Sequence, residues 1–221
     1  MSFFELFKQS LPRFIDGLGI TVQLTVISLL FAIILGMITC FLKISKFKFL
    51  RFIASIYIDI IRGTPLLVQA YFLYFGLTQA LGIQMSNTVA GIIVLSLNAG
   101  AYLSEIFRSG INAVNTGQME AARSLGLPYS KAMVKVILPQ AIRIVIPSVV
   151  NQFIITLKDT TIISVIGAPE LMKTANIIVA RNFRGFEVYA MVAVMYFIVI
   201  FTLTKISGLI ERRLANGKGK R

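Results

Sequence analysis

Charge is confined to a few short stretches of this sequence, and between them lie apolar runs of membrane-crossing length. Leu18 to Leu42 carries no charged residue in 25 positions, and a spanning helix needs about 20. Thr64 to Val94 is uncharged throughout, long enough for one span, a turn and the start of another; Phe186 to Leu203 contains only Glu187. The pattern predicts an all-α, polytopic membrane protein with spans at about 18–42, 64–82, 87–107, 143–160 and 187–210. Local chemistry sets some of the ends. Gly63 is expected to break one helix, Thr64 to cap the next, and Pro65 to sit in its first turn. Phe52 to Arg62 therefore reads as a separate cytoplasmic or interfacial helix. Pro147 falls early in the short fourth span, where a missing donor costs little.

Composition agrees with this pattern. Only 14% of residues are charged, against about 25% in a soluble domain. A chain of 221 residues could hardly bury so much apolar sequence in one core. The stretch ahead of the first run (Glu5, Lys8, Arg13, Asp16) has no net charge, and the run itself exceeds the apolar part of a signal peptide, so it reads as a retained span. The single cysteine, Cys40, excludes an intramolecular disulfide and is expected to be a small buried helix residue.

The formal net charge of +13 invites a nucleic-acid reading, which its distribution removes. Three segments, Lys43–Arg51, Arg108–Arg143 and Lys205 to the end, account for all of it. Lys and Arg gather on the cytoplasmic side of membrane proteins. The N-terminus is then outside, the C-terminus inside, and the basic tail faces anionic lipid.

Between the third and fourth spans lies a polar segment of about 109–142. Helix formers in "QMEAARSL" precede Gly126, which can supply a left-handed cap. Pro128, Tyr129 and Ser130 are expected to start a second short helix, and Leu138-Pro139 to stop it. A helix–turn–helix across the inner face follows, with small Ala121 and Ala122 permitting close approach by a partner; a merely solvated loop is the alternative. Glu120, Ala121, Ala122, Gly126, Leu138 and Pro139 stand in the register of the Glu-Ala-Ala signature of binding-protein-dependent ABC importer permeases, with Val136 where Ile is usual. "DIIRGTPLLVQAYFLYFGL", "LSLNAGAYLSEIFRSGINAVNTGQ" and "LKDTTIISVIGAPEL" resemble the polar amino-acid subgroup of that family. The resemblance covers nearly the whole chain and implies a single permease domain, 1–221, with a type I (MetI-like) importer core in a prokaryotic inner or plasma membrane. It also implies a second permease copy or paralogue, a separate ATP-binding ABC subunit that docks on the polar segment and holds ATP and Mg, and an extracytoplasmic amino-acid-binding protein. The implied cargo is a polar amino acid resembling Arg, Gln or His.

The residues themselves offer no catalytic set. The sequence has no phosphate-binding loop, no His and one Cys, so energy must come from a partner. Polar groups at membrane depth usually face a cavity or a partner. On the fourth span Ser148, Gln152, Thr156 and Asp159 share one stripe, with Asn151 and Lys158 beyond its edge. On the third, Asn98, Tyr102 and Glu105 recur at i, i+4 and i+7, with Ser109 below. Lys158 and Asp159 offer a cation and an anion for the two ends of an amino acid; an internal pair or the cap of a broken helix are the alternatives. Thr21, Thr25 and Ser28 read as backbone-bonding packing residues, and Asp59 and Arg62 as organisers of the cytoplasmic side. A stand-alone channel or ion-coupled transporter fits less well, because no internal repeat is visible.

Overall fold

The computed structural model describes residues 2–216, and among these every regular element is helical. Helix α1 spans Phe3–Lys43, α2 Lys48–Gly63, α3 Leu66–Leu81, α4 Asn87–Asn112 and α5 Thr116–Ser124. Helix α6 spans Tyr129–Ile166, α7 Leu171–Asn182 and α8 Gly185–Asn216. Four of them, α1, α4, α6 and α8, are long and apolar enough to cross a membrane alone. The second predicted span, 64–82, is different. Helices α2 and α3 reach that length only together, and they are bent by 107° at the break.

Several expected boundaries move. Helix α1 begins at Phe3 rather than Leu18 and runs through Pro12, with Ser2 and Glu5 forming a capping box. At 1.5 Å per residue it is about 60 Å long, twice the hydrocarbon thickness, so its first turns project beyond the bilayer. Helix α2 starts at Lys48 and includes Gly63. Thr64 does not cap α3: its hydroxyl donates back to the Ile60 carbonyl at 2.8 Å. Pro139 does not stop the second cytoplasmic helix either. A widened turn at Met133–Ile137, where the Leu138 N–H reaches the Met133 carbonyl, absorbs the missing proline donor, and the helix continues to Ile166.

The bundle packs through small residues. A Cβ at Gly36 of α1 would lie 2.9 Å from Leu103 Cβ; one at Gly91 of α4, 2.6 Å from Ile163 Cγ2; one at Gly110, 2.1 Å from Val145 Cγ1. These approaches lock α4 between α1 and the antiparallel α6, as small residues do where helices meet in lipid. Ser96 Oγ donates to the Ser28 carbonyl (3.1 Å) across the α1–α4 contact, while the Thr21 and Thr25 hydroxyls donate to carbonyls four residues back. Cys40 is buried.

Helix α7 was not foreseen. Its Leu171, Ala175 and Ile178 complete a buried cluster with Leu6 and Phe14 of α1 and Val188, Met191 and Val192 of α8. Glu170, fully buried, caps it: Oε1 accepts from Lys173 N (2.6 Å) and Oε2 from the Tyr196 hydroxyl (3.0 Å). Glu170→Ala should cost about 1 kcal/mol for the cap and about 0.5–1.5 kcal/mol more for the hydrogen bond that the Tyr196 hydroxyl loses. Thermal unfolding of the solubilised wild type and Glu170→Ala is the check; an unchanged midpoint would contradict the capping role.

Candidate functional site

The polar segment between α4 and α6 folds around a tight turn. Asn115 caps helix α5, its side chain accepting from Gly117 N at 2.8 Å. The chain turns just past the helix at Gly126, where φ is +85°. Gly126 N donates to the Arg123 carbonyl (3.0 Å) and Leu127 N to the Ala122 carbonyl (3.2 Å), the paired bonds of a Schellman turn. Nothing lies within 4 Å of where a Gly126 Cβ would stand, so backbone conformation alone favours glycine there. Ala122 is buried, while Glu120, Ala121 and Pro139 are exposed and Leu138 half-buried. Leu125 is 84% exposed, an apolar tip at the turn. Underneath, Val114, Ile137 and Ala141 form a small core that holds α5 against the start of α6, and Gln140 Nε2 reaches Gln118 Oε1 at 3.3 Å.

The polar residues of α4 face the α2–α3 bend. Asn98 Nδ2 donates to Gln69 Oε1 at 3.2 Å. The Arg62 guanidinium sits 5.0 Å from the Tyr102 ring centre, a cation–π contact. Glu105 is bound by Arg108 at 2.6 Å. Gln69, unremarked in the sequence, is the hub of this region: its Nε2 also donates to the Ile61 (2.7 Å) and Thr64 (3.0 Å) carbonyls and so staples the 107° bend. The only hint was its place at the end of "RGTPLLVQ".

On α6, Gln152 and Thr156 are buried, and the Thr156 hydroxyl donates to the Gln152 carbonyl at 2.9 Å. Lys158 is exposed and Asp159 half-buried. Among the described residues these two form no ion pair with each other, and the helix runs past them to Ile166 rather than breaking there. The α4 and α6 stripes are not joined by any hydrogen bond or ion pair among the described residues. The described residues hold no group of three His, Cys, Asp or Glu able to bind a metal ion.

A family model for the inner membrane component of binding-protein-dependent transport systems matches residues 28–216. The chain belongs to that family. It is therefore a multi-pass transport permease, a subunit class that is not an enzyme. The arginine transport system permease protein ArtQ of Bacillus subtilis (strain 168) is 40% identical over 204 residues, covering 92% of this permease and 93% of ArtQ. A crystal structure of an amino acid ABC transporter with histidines superposes with a TM-score of 0.91 at 42% identity, covering 96% of this chain and 99% of that one. An inward-facing structure of the MetNI methionine ABC transporter shares the fold at 19% identity and a TM-score of 0.79, over 97% and 99% of the two chains. The permease thus has the type I, MetI-like importer architecture.

Proposed function

We propose that this permease forms the translocation path for a polar amino acid, Arg-, Gln- or His-like, in an ABC importer of a prokaryotic inner or plasma membrane. The reading treats residues 1–221 as one permease domain that works beside a second copy or a paralogue. An extracytoplasmic binding protein delivers the amino acid, and a separate ATPase subunit, holding ATP and Mg, docks on residues 109–142. The observation that supports coupling most is the Schellman turn at Gly126. It presents Glu120, Ala121 and the bare Leu125 side chain on a firm surface, and the following helix runs unbroken into a span. The substrate class is supported by the likeness to ArtQ and to the transporter solved with histidines. Lys158 and Asp159 would take the carboxylate and ammonium ends; Asn98, Tyr102, Glu105 and Gln152 would border the path.

Proteoliposomes holding this chain, its ATPase and its binding protein are expected to take up a radiolabelled amino acid only with ATP, with cationic or amide side chains preferred across a panel. Uptake by the chain alone, or driven by an ion gradient, would overturn the reading. Orientation has its own check. Single cysteines at positions 84 and 115, in a Cys40→Ser background, should react with an impermeant maleimide on intact cells at 84 and not at 115. The opposite pattern reverses the assigned topology.

A further inference from the structure

Two of the most exposed apolar side chains lie three residues apart at the α7–α8 turn: Phe183 is 89% and Phe186 86% exposed. Phe183 also has φ 57° and ψ 19°, and it is the only non-glycine residue with positive φ among those described. Glycine or asparagine takes that left-handed conformation more readily. A bare phenyl ring on an unfavourable backbone is out of place against water.

The position of the turn decides what covers it. Helix α8 is a span by length and hydropathy, with little of its surface buried inside the chain. Counting back about 20 residues, or about 30 Å, from Lys205 puts the far edge of the hydrocarbon at Gly185. Phe183 and Phe186 straddle that edge. Exposed Arg181 and half-buried Arg184, the latter 2.7 Å from Glu187 Oε1, flank the rings. Apolar side chains such as Phe set beside cations are what segments lying in the membrane–water interface present to lipid. Phe186 further heads a stripe of exposed side chains, Val194, Phe197 and Phe201, that lie within about 80° of one another on a helix. The rings are continuous with a surface that meets lipid tails.

We propose that the turn from Arg181 to Phe186 is a bilayer-docking surface. Phe183 and Phe186 enter the headgroup–acyl boundary of the leaflet at the start of α8, and Arg181 meets lipid phosphate. The anchor sets the depth of α8. It also holds α7, which is tied to α8 by the Tyr189 hydroxyl bonding Asn176 Oδ1 at 3.1 Å.

The chain contains no Trp, so Phe183→Trp adds one fluorophore to the reconstituted complex, read as the difference from wild type. Its emission is expected to be quenched by phospholipids brominated high on the acyl chain and shielded from aqueous iodide, with or without binding protein. Quenching by iodide that the binding protein relieves would overturn the proposal in favour of a protein partner. Access to neither quencher would overturn it in favour of burial against another chain of the complex. Phe183→Gly gives a second, independent reading, because glycine relieves the backbone while removing the ring. The thermal inactivation midpoint of the complex in bilayers should fall; a rise would mean that the ring has no anchoring role.

Discussion

Complexes rebuilt with Gly126→Val are expected to insert and fold normally, yet to lose most transport-stimulated ATP hydrolysis. Gly126 has φ +85° with open space where its Cβ would stand. Substitution therefore meets a backbone cost and no clash. For an L-residue that cost is about 1–2 kcal/mol, and a β-branched side chain adds to it. The two hydrogen bonds that close the turn, to the Arg123 and Ala122 carbonyls, are what the substitution disrupts. Bundle packing lies elsewhere, so expression and thermal stability should hardly change. Gly126→Ala should give an intermediate loss. Glu120→Lys should act differently, leaving the turn intact and reversing the charge of the exposed face proposed for docking. Co-purification with the ATPase and stimulated hydrolysis, both unchanged in the Val and Lys variants, would exclude this segment as the coupling surface.

Lys158→Met and Asp159→Asn are expected to abolish uptake at limiting substrate while assembly and basal ATP hydrolysis persist. A hydrogen bond to a charged group contributes about 1.5–3 kcal/mol, or about 10- to 100-fold in a binding or transfer step. The structure sharpens this test, because Lys158 and Asp159 do not bridge each other among the described residues and are free to engage something else. If their role were purely structural, the double variant Lys158→Asp, Asp159→Lys would retain substantial transport. The substrate role predicts that it does not. Wild-type uptake by both neutralised proteins would shift attention to Asn98 and Tyr102, whose side chains already hold Gln69 and Arg62.

What the sequence disclosed, and what it hid, follows the range of the interactions. The long spans were legible because the length of an uncharged run is a local property. The turn at Gly126 was legible for the same reason: helix formers followed by glycine need no distant partner. Helix α7 was missed because it is short and carries Lys173 and Arg181. Its stability comes from packing Leu171, Ala175 and Ile178 onto α1 and α8. Glu170 followed by apolar residues at that spacing was the available signal. Pro139 was misread since proline ordinarily ends a helix, and nothing local announces a widened turn at Met133–Ile137. The polar stripes were the least legible. A polar side chain within a span has as much reason to bond a neighbouring helix as to face a channel: Asn98 found Gln69, and Glu105 found Arg108.

Helix α6 runs without a break from the face proposed for docking through the length of a span, and the tightest of the glycine approaches bears on its middle, where Gly110 meets Val145. From Tyr129 to that contact is about 24 Å, and from it to Asp159 about 21 Å. Pushed from below, such a rod would tilt as a see-saw whose fulcrum is nearly central. Its mechanical advantage is close to one, so a push of a few ångströms beneath the membrane returns as a displacement of similar size, in the opposite direction, near Asp159. A bulky residue at Gly110 would clash with Val145 and force the two helices apart, removing the pivot itself.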